Sequence, residues 1–121
     1  MNGCPRAVAA ADYTVPDGIG VIFASRICGT ALKERVGGFD LACALLPGLA
    51  QSGLSLFLLG AKPGVAARAA ANLQKAHPGL VIAGTSDGYF KEDAQAVEAV
   101  NASGATVVFT ALGSPRQEIF M

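Results

Sequence analysis

Three apolar runs in this chain each stop at a short turn rich in glycine and proline, and each turn opens into a helix-like stretch. The turns are Pro16-Asp17-Gly18-Ile19-Gly20, Gly60-Ala61-Lys62-Pro63-Gly64 and Gly113-Ser114-Pro115-Arg116-Gln117-Glu118. A strand that turns tightly into a helix leaves backbone N–H groups pointing outward, and such an end attracts anions. If the strands are parallel, all three turns lie along one edge of the sheet, where open α/β folds place their ligands.

The rest of the chain fits that scheme. Residues 12–15 read as a short strand ending at Pro16, and residues 19–28 carry apolar residues at near-helical spacing before Gly29 stops them. Residues 30–39 read as a loop. Asp40 is an expected N-cap for a helix over residues 41–51, which Pro47-Gly48 should kink or end early and Gly53 closes. The apolar run 54–59 meets Gly60, as in a strand covered on both faces. From Pro63, a residue suited to a first helical turn, Ala66, Ala69, Ala70, Leu73 and Ala76 form one apolar stripe. His77, the single histidine, reads as a C-terminal cap residue ahead of Pro78-Gly79. Residues 80–83 are the next strand and residues 84–90 a fourth loop at the same edge. Glu92-Asp93 open a helix that Gly104 ends, and residues 106–112 are a further strand.

The order β-α-β-α-β-α with right-handed crossovers predicts a parallel sheet. The expected fold is therefore α/β: a three-layer, mostly parallel Rossmann-like sheet with helices on both faces, in a single domain over residues 1–121. The length of 121 residues suits one core. Apolar residues make up 52% and mean hydropathy is +0.46, yet no apolar stretch approaches the ~18 residues of a membrane span. The start Met1-Asn2-Gly3-Cys4-Pro5-Arg6 does not look like a secretion signal. A net charge of zero argues against a nucleic-acid surface. Cys4, Cys28 and Cys43 match neither a zinc pattern nor a disulfide framework, so they read as reduced thiols of a cytosolic protein, with Cys28 and Cys43 buried.

Several turn residues can do chemistry, and each has a structural reading beside it. Asp17 is either an N-cap or a general base, and Gly18 lets a ligand approach the backbone. The 60–64 turn is either a plain strand-to-helix connection or a phosphate cradle, with Gly60 and Gly64 giving access and Lys62 the charge. Ser114 can cap the helix from Pro115 with Gln117 completing a capping box. Alternatively, Gln117 bonds a sugar or phosphate with Arg116 nearby as a cation and Gly113 beneath. Arg35 can pair with Asp40 across its loop; as a surface ion pair this is worth ~0–1 kcal/mol. In Asp87-Gly88-Tyr89-Phe90 the aromatics either stack on a base or plug the core. No Asp-x-Asp occurs, so a leaving diphosphate would be stabilised by amides, helix N-termini and cations. Together these groups suit a nucleotide-diphosphate ligand.

Five segments taken in order resemble the WecG/TagA/CpsF glycosyltransferase family: Pro16-Asp17-Gly18-Ile19-Gly20-Val21, Leu32-Lys33-Glu34-Arg35-Val36-Gly37-Gly38-Phe39-Asp40-Leu41, Phe57-Leu58-Leu59-Gly60-Ala61-Lys62-Pro63-Gly64, Asp87-Gly88-Tyr89-Phe90 and Leu112-Gly113-Ser114-Pro115-Arg116-Gln117-Glu118. The resemblance implies inverting, metal-independent transfer of an N-acetylmannosamine-type sugar from a UDP-sugar donor. The implied acceptor is undecaprenyl-diphosphate-linked N-acetylglucosamine, in the making of wall teichoic acid and other surface polysaccharides. It implies that Asp17 is the catalytic base and that Gln117 contributes to the active site. It further implies no cofactor, no metal, and work at the cytoplasmic face of the plasma membrane. Family members run longer, so the chain is expected to lack their N-terminal segment and C-terminal appendage. A rival expectation is a catalytically incomplete fragment that keeps nucleotide-sugar binding or associates with itself through exposed sheet edges. A nicotinamide-dependent oxidoreductase is disfavoured by the incomplete glycine pattern and the lack of an acidic ribose ligand.

Overall fold

The computed structural model describes residues 9–13, 29, 38–113 and 116–120. Its elements, in chain order, are α1 (Gly38–Ser52), β1 (Ser55–Gly60), α2 (Val65–Ala76), β2 (Val81–Ser86), α3 (Asp93–Ser103), β3 (Val107–Ala111) and α4 (Arg116–Phe120). Among the described residues, three strands form one parallel sheet in the order β2-β1-β3. The architecture is the expected three-layer α/β arrangement.

β1 is the centre because its side chains are apolar on both faces. Leu56 and Leu58 join α1 and α2 through Leu46, Leu49, Ala66 and Ala70. Phe57 and Leu59 turn to the other face, where α3 and α4 pack through Ala96, Val100 and Phe120. Leu56 and Leu59 are essentially inaccessible to solvent, and burying each contributes about 1.5–3 kcal/mol. The chain leaves β1 for β2 on one side, then crosses back to β3 on the other. The topological switch point therefore falls at the carboxyl ends of β1 and β3, where open α/β sheets form a crevice.

Several expected boundaries move. α1 begins at Gly38, so Asp40 stands inside its first turn, where a carboxylate complements the helix dipole, and is not the N-cap. The helix also runs through Pro47 to Ser52. Proline removes one hydrogen bond there, but Leu46 and Leu49 on either side are both buried against the sheet and hold the helix in place. Cys43 is exposed, not buried, because the buried side of α1 is built from Leu46 and Leu49. Cys4 and Cys28 lie outside the described residues. Pro63 precedes α2 rather than starting it, since Gly64 is the N-cap with φ 87°. Of the α2 stripe, Ala76 is exposed at the helix end, while Ala66 and Ala70 are buried.

β2 extends to Ser86, so residues 84–86 are strand and not loop. Glycine inside a strand often marks a bulge or a close approach, and both occur here. The register shifts between Leu56 and Phe57, and a Cβ on Gly84 would lie 2.8 Å from Phe57 Cε2. The glycine makes room for an aromatic ring. At the helix ends, His77 is the C-cap of α2, its N–H donating to the Leu73 carbonyl at 2.8 Å. Gly104 closes α3 in the left-handed region at φ 70°. Of the strand expected over residues 12–15, Asp12 and Tyr13 are described and are not in a strand; the helix expected over 19–28 lies outside the described residues.

Candidate functional site

The site begins with how closely three backbones approach at the carboxyl edge of the sheet. Gly60, the last residue of β1, has φ 133°. A Cβ there would meet the backbone of Ala111, 2.6 Å from its carbonyl carbon and 2.9 Å from its Cα. Ala61 follows at φ 61°, a left-handed conformation that costs a non-glycine residue about 1–2 kcal/mol. In that conformation its N–H donates to the Ala111 carbonyl at 3.1 Å, and its own carbonyl accepts from Gly88 N–H at 2.9 Å. One residue thus ties the β1 turn to both neighbouring turns. The chain then makes a Lys62–Val65 turn, Val65 N–H to Lys62 carbonyl at 3.1 Å, and enters α2.

The loop after β2 is held from within and without. Asp87 Oδ1 accepts the Tyr89 N–H at 2.8 Å, an Asx turn. Gly88 is buried, and a Cβ on it would lie 3.3 Å from Leu112 Cδ2 and 3.4 Å from Gly60 Cα. Arg116, at the start of α4, donates from Nη1 to the Gly88 carbonyl at 2.7 Å and from Nη2 to the Phe90 carbonyl at 3.5 Å. Its guanidinium carbon sits 4.4 Å from the centroid of the Phe90 ring, which packs on Phe120 with centroids 5.9 Å apart. Phe90 is thus engaged within the protein, whereas Tyr89 is 66% exposed.

Between these turns lies an open hollow of about 270 Å³. Five of the residues singled out in the sequence line it: Lys62, Gly88, Tyr89, Gly113 and Arg116. Ala61, Ala111 and Leu112 line it as well and were not anticipated, because their part is played by backbone position and no side-chain chemistry marks them. The one available signal was that Ala61 follows Gly60 and Leu112 precedes Gly113. Two cations and no carboxylate face the hollow among the described residues, a balance that favours an anion.

The other expected site residues stand elsewhere. Gly60 and Gly64 shape the β1 turn and Asp87 shapes the β2 loop, none of them lining the hollow, and Asp40 is exposed on α1. Gln117 is placed by its backbone in the first turn of α4. Asp17, Gly18, Arg35 and Ser114 lie outside the described residues, and so does the capping box expected from Ser114. Among the described residues, no three His, Cys, Asp or Glu side chains come together as metal ligands would, and no helix is long and apolar enough to cross a membrane.

Comparison with known proteins identifies the family. The family model for glycosyl transferases of the WecG/TagA/CpsF family matches residues 2–121. An N-acetylglucosaminyldiphosphoundecaprenol N-acetyl-beta-D-mannosaminyltransferase of Bacillus spizizenii is 39% identical over 114 residues, and one of Bacillus subtilis is 32% identical over 114 residues. Each alignment covers 94% of this chain and 44% of the relative. The chain therefore spans less than half the length of the curated relatives it matches. With five motifs in order and a family match across almost its whole length, the chain belongs to the WecG/TagA/CpsF glycosyl transferase family.

Proposed function

We propose that this chain is the donor-binding core of an N-acetylmannosaminyltransferase, and that the hollow at the switch point receives the diphosphate of a UDP-sugar. The observation that carries the reading is the convergence of three turns, far apart in sequence, on one rim that Lys62 and Arg116 help to line. The volume suits a diphosphate and its nearest groups; a whole nucleotide-sugar, which needs a site of about 300–1,000 Å³, would extend beyond it. The relatives' names supply the acceptor, a lipid-linked N-acetylglucosaminyl diphosphate, and the sugar class.

In this mechanism Asp17 accepts the proton of the acceptor hydroxyl as that oxygen attacks the anomeric carbon. The new C–O bond forms on the face opposite the leaving group, so the configuration inverts. The bond from the anomeric carbon to the phosphate oxygen breaks, and its electron pair leaves with UDP. N–H groups of the 60–64 and 113–117 turns, helped by Lys62 or Arg116, hold the added negative charge without a metal ion. A general base of this kind is worth about 10²–10⁴-fold in rate. We infer that the work is done at the inner face of the plasma membrane, with the protein peripheral to it, a reading that a lipid-linked acceptor supports.

Calorimetry with UDP and with NAD tests the donor site: the chain should bind UDP and not NAD, and the reverse preference would remove the reading. For the chemistry, Asp17→Asn should abolish transfer to a lipid-linked acceptor while UDP affinity stays within a few-fold. Wild-type turnover in that variant would remove Asp17 from the mechanism.

A further inference from the structure

Arg116 has more protein partners than a cation kept for phosphate. Its fork reaches two carbonyls of one loop, Gly88 at 2.7 Å and Phe90 at 3.5 Å, and its central carbon lies over the Phe90 ring, 4.4 Å from the centroid, with Phe120 of α4 against that ring. The Gly88 that it holds by the carbonyl donates its own N–H to Ala61, and Ala61 donates to Ala111, the last residue of β3. From Ala111 the chain returns within five residues to Arg116. The links close a ring: end of β3, turn of β1, loop of β2, start of α4, end of β3. Gly88 and Ala61 both line the hollow, so this ring is its frame.

We propose that Arg116 is a positioning residue for the donor site. It clamps the loop at residues 87–90 onto the β1 turn and sets the shape of the hollow before any ligand arrives, and Lys62 is the cation that meets the diphosphate. The assignment deepens the donor-site reading and rests on it only where UDP is concerned. Arginine suits the clamp because a planar fork can bond two carbonyls while stacking on a ring, and the point charge of lysine cannot do both. A residue needed only for its positive charge would tolerate that exchange.

The test uses the full chain in four forms: wild type, Arg116→Lys, Arg116→Ala and Lys62→Ala. Hydrogen exchange of the Gly88 and Tyr89 amides is followed without ligand, with the Leu58 amide in the central strand as a reporter of global opening. UDP affinity is measured in parallel. A charge-assisted hydrogen bond lost from the clamp should speed exchange at Gly88 and Tyr89 by about 10- to 100-fold. Both Arg116 variants should show this at an unchanged Leu58 rate, and both should lose UDP affinity. Lys62→Ala should lose UDP affinity with loop exchange unchanged. The clamp is refuted if exchange is as in wild type for both Arg116 variants, or if Arg116→Lys keeps full UDP affinity while Arg116→Ala loses it. A wild-type chain that does not bind UDP overturns the donor-site reading instead, and loop exchange alone then decides the clamp.

Discussion

Replacing Gly60 by alanine attacks the point on which the rim depends. The new methyl would have to occupy space held by the Ala111 backbone, with a carbon 2.6 Å away and another at 2.9 Å, at a φ of 133° that side-chain-bearing residues avoid. Backbone cannot swing aside as a flexible side chain does. The conformational part costs about 1–3 kcal/mol and the overpacking about another 1–3 kcal/mol. A central value of about 4 kcal/mol is a large share of the ~5–15 kcal/mol that holds a typical domain together. Gly53→Ala is the matched control: its φ of 70° is also left-handed, but nothing lies within 4 Å, so only the conformational cost of about 1–2 kcal/mol applies. In urea, with a slope of about 2 kcal/mol per molar, Gly60→Ala should lower the midpoint by about 2 M and Gly53→Ala by less than about 1 M. Equal midpoints for the two variants would refute the claim that β1 and β3 meet backbone to backbone at this glycine.

Two further outcomes follow from the packing. Gly84→Ala should cost about 1–3 kcal/mol because its methyl meets the Phe57 ring, and the cost should shrink in a Phe57→Leu background; a double-mutant cycle with no coupling would count against that contact. Cys43, exposed on α1, should react with a thiol reagent in the native protein, as mapped by peptide mass spectrometry; protection until denaturation would contradict the placement of α1.

Much of the layout was legible without coordinates because the signals are local. An apolar run that meets glycine reads as a buried strand, and β1 ends at Gly60 as that predicts. His77 and Gly104 act where helix-ending residues should. The alternation of strands and helices dictates a parallel sheet, and a parallel sheet puts every strand-to-helix turn on one edge. Lys62, Gly88, Tyr89, Gly113 and Arg116 could therefore be grouped in advance, and the hollow gathers them.

Where local pattern and fold differ, packing decided. Gly84 looked like the start of a loop, yet it pairs with Phe57 inside the strand, and its missing side chain leaves room for that ring. Pro47 was expected to kink the helix or end it early, and the helix runs on to Ser52 because burial of Leu46 and Leu49 outweighs one missing hydrogen bond. Arg116 reads in the sequence as a cation near the ligand, and no local pattern announces that it also bonds two carbonyls and meets a ring contributed by residues 26 and 28 positions away.

The amino-acid order alone determined the class of fold, the direction of the strands and the edge on which the turns gather, since these follow from periodicity, chirality and the conformational freedom of glycine. Only the folded chain decided which of those turns touch, through Gly60 on Ala111, Ala61 between two loops and Arg116 on Gly88. Contacts between residues distant in sequence depend on shape and separation in space, and no local pattern encodes them.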